Sequence, residues 1–189
     1  INSESAELEV SQIEKNANLN TTFNPIRATD IGNDLSINGK SCSVTAARVK
    51  GDVTVESSFN AVRLRDIEGK LKVQSSSASV DAYNIANEAE ITTTFNPVNV
   101  EKIGGNLTIN NSSGTVEATD ISGDVTIANT FNPVRLKQTS GSINVKSQSA
   151  PVIVSDIRTL PSAAEIDITT SFGKIELVLP AGTEAAVQA

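Results

Sequence analysis

The sequence predicts an all-β fold: one single-domain parallel β-solenoid, a right-handed β-helix of about ten coils of 18 residues. Three observations carry this expectation. First, the segments Thr22-Phe23-Asn24-Pro25-Ile26, Ser58-Phe59-Asn60-Ala61-Val62, Thr94-Phe95-Asn96-Pro97-Val98 and Thr130-Phe131-Asn132-Pro133-Val134 recur every 36 residues, and a weaker copy, Ser171-Phe172-Gly173-Lys174-Ile175, follows after 41. Second, half that period aligns the whole chain into coils 3–20, 21–38, 39–56, 57–74, 75–92, 93–110, 111–128, 129–146 and 147–169, a partial coil 170–180 and a tail 181–189. Third, apolar residues within each coil stand two apart, the period of a strand with one buried face, and helical spacing is absent.

Numbering positions from the start of each coil, the sixth column reads Leu8, Ile26, Val44, Val62, Val80, Val98, Val116, Val134, Val152 and Ile175. It is aliphatic throughout. The eighth column alternates Val, Ala and Leu, and the eleventh runs from Ile13 to Ile157 with the one polar exception Thr139. The fifteenth and seventeenth positions supply pairs such as Leu35/Ile37, Val53/Val55, Leu107/Ile109 and Val125/Ile127. Each coil therefore carries two strands and a third, shorter apolar edge. Stacking identical positions at roughly 4.8 Å joins these columns into one core and makes ten coils about 48 Å long.

Between the strands, the thirteenth position is Asn33, Gly51, Gly69, Asn87, Gly105, Gly123 or Gly141, residues expected to take positive φ at a sharp turn. The handedness of parallel crossovers favours a right-handed helix. Apolar intervals that do not repeat every six residues disfavour the left-handed hexapeptide solenoid. A β-prism or sandwich of 36-residue antiparallel units is the remaining alternative.

In the third column Phe23, Phe59, Phe95, Phe131 and Phe172 alternate with Ser41, Ser77, Ser113 and Ser149. Large over small is expected to fill a tapering corner of the core, with Asn24, Asn60, Asn96 and Asn132 completing the motif. Pro25, Pro97, Pro133 and Pro151 each precede the first strand, where a missing N–H does least harm. On the exposed seventh column Glu9–Arg27, Arg63–Asp81 and Glu117–Arg135 are expected to pair between coils, as are Lys70–Glu88 and Lys72–Glu90 elsewhere. The ninth coil is five residues too long. Its excess, Arg158-Thr159-Leu160-Pro161-Ser162-Ala163-Ala164, is a loop and the candidate contact segment.

The chain contains no His, which excludes Ser-His-Asp and Cys-His catalysis and His-ligated metals. Paired carboxylates of a polysaccharide-processing β-helix are the remaining catalytic candidates. Yet acids such as Asp34 and Asp52 recur with the repeat, whereas catalytic groups break one. The tenth-column acids Asp30, Asp66, Asp120 and Asp156 are separated by Arg48, Asn84, Lys102 and Gln138, which argues against a calcium ladder. No cofactor, metal or catalytic residue is expected. A net charge of −7 argues against nucleic acid, and no apolar run reaches the ~20 residues of a membrane span. Cys42 stands alone, so no internal disulfide forms, and a packed thiol is expected. A chain opening on Ile1 is expected to be a segment of a longer precursor.

The segments Gly51-Asp52-Val53-Thr54-Val55, Ser113-Gly114-Thr115-Val116-Glu117-Ala118, Gly123-Asp124-Val125-Thr126-Ile127 and Phe131-Asn132-Pro133-Val134-Arg135-Leu136 resemble the adhesin-like β-strand-repeat domains of bacteria. The resemblance implies a β-helical repeat on an exported or membrane-tethered envelope protein, with no catalytic residues to carry over. It implies a non-enzymatic scaffold for adhesion to a protein or glycan surface. A second resemblance, to bactofilin-like cytoskeletal solenoids, implies end-to-end self-association. A polysaccharide-processing β-helix is the third reading.

Overall fold

In the computed structural model, which describes residues 1–4 and 6–183, the chain is a parallel β-solenoid. Twenty strands alternate in sequence between two ten-stranded sheets. The first sheet runs from Asn2–Ser3 and Ala17–Thr21 to Ile166–Thr170, the second from Leu8–Ile13 and Ile26–Ile31 to Ile175–Leu177. All neighbouring strands are parallel, and the register is the 18-residue one: Val80 lies beside Val62 and Val98, and Ala89 beside Leu71 and Leu107. The expected ten coils amount to about eight regular turns, because the ninth is stretched by its loop and the terminal strands are two- and three-residue stubs. The tail expected at 181–189 falls mostly at 184–189, outside the described residues.

The core is the stack of columns the pattern implies. Ile26, Val44, Val62, Val80, Val98, Val116, Val134 and Val152 are all fully buried, and the fifteenth and seventeenth positions meet them from the opposite sheet. Pro25, Pro97, Pro133 and Pro151 sit immediately before strands of the second sheet. Having no N–H to place, each still uses its carbonyl, as in the bond from Val80 N–H to Pro97 O at 3.0 Å.

The positive-φ position is corrected by the structure. None of the thirteenth-position residues adopts it; the tenth column does, at Gln12, Asp30, Arg48, Asp66, Asn84, Lys102, Asp120, Gln138 and Asp156, with φ between 55° and 63°. The register shows why. Tyr83 pairs with Glu101 and Ile85 with Ile103, while Asn84 between them has no partner. One left-handed residue per coil bends the strand and breaks its alternation, so positions eight and eleven both face inward. This creates the third apolar edge. Non-glycine residues bear a cost of roughly 1 kcal/mol there, least for Asp and Asn.

The thirteenth-position glycines answer a different need, the close approach of one coil's turn to the next. A Cβ on Gly69 would overlap the Gly51 carbonyl and stand 2.6 Å from Asp52 N; one on Gly105 would stand 2.8 Å from the Asn87 carbonyl carbon. The following residue stitches the turns together. Asp34 Oδ1 accepts the Asp52 N–H at 3.0 Å, Asp52 Oδ1 that of Lys70 at 2.8 Å, and Asp124 Oδ1 that of Ser142 at 2.8 Å.

Cys42 is packed in the core beside Gly39, where a Cβ would collide with its Sγ. The glycine of that coil makes room for the thiol, and burial pushes the thiol's pKa up. Thr139 is also fully buried, and its hydroxyl has no hydrogen-bond partner.

Two substitutions test this packing in urea denaturation. Gly69→Ala is expected to cost on the order of 2 kcal/mol by steric overlap, although Ala at an ordinary φ would elsewhere be neutral or stabilising. Thr139→Val, which replaces an orphaned hydroxyl by a methyl of the same shape, is expected to stabilise by about 1 kcal/mol. An unchanged Gly69→Ala variant would show that the turns do not stack as closely as described.

Candidate functional site

The corner carrying the Phe-Asn-Pro motif lies where the first sheet ends and the second begins. Its interior is lined by a polar column: Thr21, Ser57, Thr93, Asn111, Asn129 and Ser147 are all buried. All but Thr21, whose hydroxyl has no partner, satisfy the corner's own backbone. Asn129 Nδ2 donates to Gly114 O at 3.1 Å and to Asn132 O at 2.6 Å, Asn111 Nδ2 to Asn96 O at 3.1 Å, and Thr93 Oγ1 to Ala78 O at 3.0 Å. The motif asparagines act between coils: Asn96 Nδ2 donates to Ser77 O at 2.6 Å, and Asn132 to Ser113 O. In the copy without proline, Asn60 takes φ 71° instead. A following proline disfavours the α region for the residue before it, and Ala61 lifts that restriction.

With the corner interior occupied by these amides and hydroxyls, the rings point outward. Phe23, Phe59, Phe95, Phe131 and Phe172 are 69%, 54%, 63%, 60% and 87% exposed. The expectation of a buried packing column is thus corrected: the corner placement holds, but the rings project into solvent as a row, one every second rung. Small residues occupy the fourth position of the intervening coils, with Cys42, Ala78, Gly114 and Ala150 turned inward.

The second sheet's outer face holds a feature the residue pattern did not single out. Its ninth column is small at Ser11, Thr29 and Ala47, becomes Arg65, Tyr83 and Glu101 on successive rungs, and then runs Thr119, Lys137 and Ser155. Tyr83 is 40% exposed, and its hydroxyl accepts a hydrogen bond from Lys102 Nζ at 2.6 Å. The same ammonium lies 4.8 Å from the ring centroid, and the tyrosine contact raises the lysine pKa. Beside this column Asn99 Nδ2 donates to Asp81 Oδ1 at 2.8 Å, and Arg63 pairs with Asp81 at 3.8 Å. Arg63, Arg65, Tyr83, Asn99, Glu101 and Glu117 border one shallow groove at mid-rod. The available signal was the lone tyrosine and the departure of one column from its own repeat.

The remaining candidates are tied into the stack. The expected pairs Lys70–Glu88, Lys72–Glu90 and Glu117–Arg135 form at 2.6, 3.2 and 3.5 Å. Arg27 differs: it pairs with Glu7 at 3.3 Å, although Glu9 is its register neighbour. Arg48 grips Asp30 through two hydrogen bonds of 2.6 and 2.8 Å, which hold the carboxyl below its usual range. The expected contact loop is anchored at its start and closed by a turn of its own. Arg158 reaches back to Asp120 and Gln138, Leu160 packs against the core, and Pro161 O accepts the Ala164 N–H at 2.8 Å. Thr159, Pro161 and Ser162 stay exposed at its tip.

No helix among the described residues is long and apolar enough to cross a membrane, and no cluster of three metal-ligating side chains occurs among them. Compared with known protein families, curated proteins and solved structures, the chain matches none.

Two substitutions separate the corner's inside from its outside in thermal melts. Asn129→Ala leaves the buried Gly114 carbonyl and the half-buried Asn132 carbonyl without their amide partner and is expected to cost about 1–3 kcal/mol. Phe95→Ala removes a solvent-facing ring and is expected to change stability by less than about 0.5 kcal/mol. A large loss for Phe95→Ala would return the ring to the core.

Proposed function

We propose that this chain is a non-enzymatic rod of the bacterial cell envelope, an adhesin-type scaffold that presents its second sheet to a protein or glycan surface. The observation carrying this reading is the Arg65–Tyr83–Glu101 column. In a column of small residues interrupted elsewhere only by Lys137, three long side chains stand there on adjacent rungs, bordering a groove. Structure-driven selection on a solenoid acts toward uniform columns, so a local departure on an exposed face marks a site with another task. The chemistry suits a polar partner: an aromatic ring for stacking, a guanidinium and a carboxylate for hydroxyl or amide groups.

The acids outside the groove support the same reading. Asp34, Asp52 and Asp124 accept backbone N–H groups of the next coil, and Asp30 is bound by Arg48. They are employed in stacking. The envelope location rests on the family resemblance, whose implied export suits a rod presented at a surface. The second reading, end-to-end assembly, is favoured by one observation: the last described strand exposes Ile175 and Leu177, and Val178 follows them.

The test is binding of the purified chain to glycan arrays and to envelope fractions. Tyr83→Ala is expected to lose at least tenfold in affinity with an unchanged melting temperature. Turnover of a polysaccharide, abolished by Glu101→Gln, would instead make the groove an active site. Filaments that lengthen with concentration would favour the end-to-end reading.

A further inference from the structure

The phenylalanine row holds five of the ten exposed large hydrophobic side chains among the described residues, and the groove reading leaves it without a role. Its rings share one column, separated by Ser41, Ser77, Ser113 and Ser149. Two rungs put successive rings about 9.6 Å apart. A planar ring entering the gap above a serine would lie about 4.8 Å from the ring on either side, within the range of favourable aromatic contacts. The row thus has knobs and holes of matching size.

We propose that the phenylalanine row is a lateral self-association surface, on which a second copy of this chain docks antiparallel with its rings in the serine gaps of the first. Symmetry selects the antiparallel arrangement. A twofold axis along the rod would set each ring against its own counterpart at the same height. A twofold axis across the rod permits a one-rung offset, and a single offset seats four of the five rings. Seating Phe95 beside Ser77 of the second copy also seats Phe131 beside Ser41, Phe59 beside Ser113 and Phe23 beside Ser149.

Charge and area favour this occupant. From coil 21–38 onward, the second to fifth positions that form the strip contain no Asp or Glu, and Lys40 and Lys174 are their only charged residues. In a chain of net charge −7, an acid-free strip is where two like-charged copies can approach. The four seated rings at these exposures present on the order of 500 Å² per copy, so pairing buries about 1,000 Å² in all, the size of a weak specific interface. Pro25 and Pro97 are exposed beside the rings and extend it. The pair would carry two Tyr83 grooves, which multiplies avidity for a repetitive surface, but the pairing itself does not depend on what those grooves bind.

Sedimentation over a range of concentrations tests it. The chain is expected to dimerise with a dissociation constant of tens of micromolar, and Tyr83→Ala to dimerise equally well. Phe95→Ala/Phe131→Ala is expected to weaken the dimer at least tenfold. Ser113→Glu, which puts a carboxylate in a gap without touching a ring, is expected to do the same. Both variants should keep the parent's circular dichroism and melting temperature, separating lost pairing from lost folding. A chain monomeric at every concentration would overturn the proposal, as would variants that pair like the parent. So would a monomer whose row binds a linear neutral polysaccharide, which would assign the strip to that ligand.

Discussion

Everything in this molecule depends on the in-register parallel hydrogen-bond ladder between successive coils. Once coil n lies on coil n+1 in an 18-residue register, each side chain has its own counterpart about 4.8 Å away above and below. A column must therefore be compatible with itself. Aliphatic columns meet that condition without adjustment and become the core. Charged columns meet it by alternation, by mixing in amides, as in Asp30–Arg48 and Asp66–Asn84, or by turning acids onto backbone N–H groups, as at Asp34 and Asp52. Turn columns meet it by shedding side chains, which is why glycine concentrates where a Cβ would strike the backbone of the preceding coil.

The two bends of each coil solve the same problem differently. At one, a single left-handed residue turns the strand, and its side chain reaches the coil before, as Arg48 does to Asp30, Asn84 to Asp66 and Lys102 to Tyr83. At the other, buried hydroxyls and amides saturate the corner carbonyls, and the motif asparagine ties its coil to the one before. That second corner repeats every 36 residues because coils bearing Phe-Asn alternate with coils bearing a serine and a small inward residue. The doubled period belongs to the outer surface. The core follows the simple 18-residue period throughout.

A solenoid displays function where its self-similarity lapses or where its surface departs from ordinary composition. Both occur here, on different sides of the rod. The Arg65–Tyr83–Glu101 column is the lapse, and the phenylalanine row is the departure, since exposed rings on a regular spacing contribute nothing to the stack beneath them. The proposed partner groove and the proposed pairing edge involve different residues, so the two proposed contacts do not compete.

Strand positions, the 18-residue register, the aliphatic columns, the proline sites and most of the interstrand ion pairs were legible in the residues, because they follow from periodicity and from identical neighbours. The candidate site was not. A phenylalanine in a corner column has the same hydropathy whether its Cα–Cβ bond points in or out, and only the bent backbone, with Asn111 and Asn129 already filling the inside, decides for solvent. The left-handed residue was hidden for a similar reason: Arg48, Lys102 and Gln138 carry no compositional mark of positive φ, which the stacked register imposes. Arg27 reaching Glu7 past its register neighbour Glu9 was settled by side-chain direction at a bend. By itself the sequence determined which residues stack on which; tertiary structure decided which way they face wherever the chain turns, because alternation specifies direction only along a straight strand.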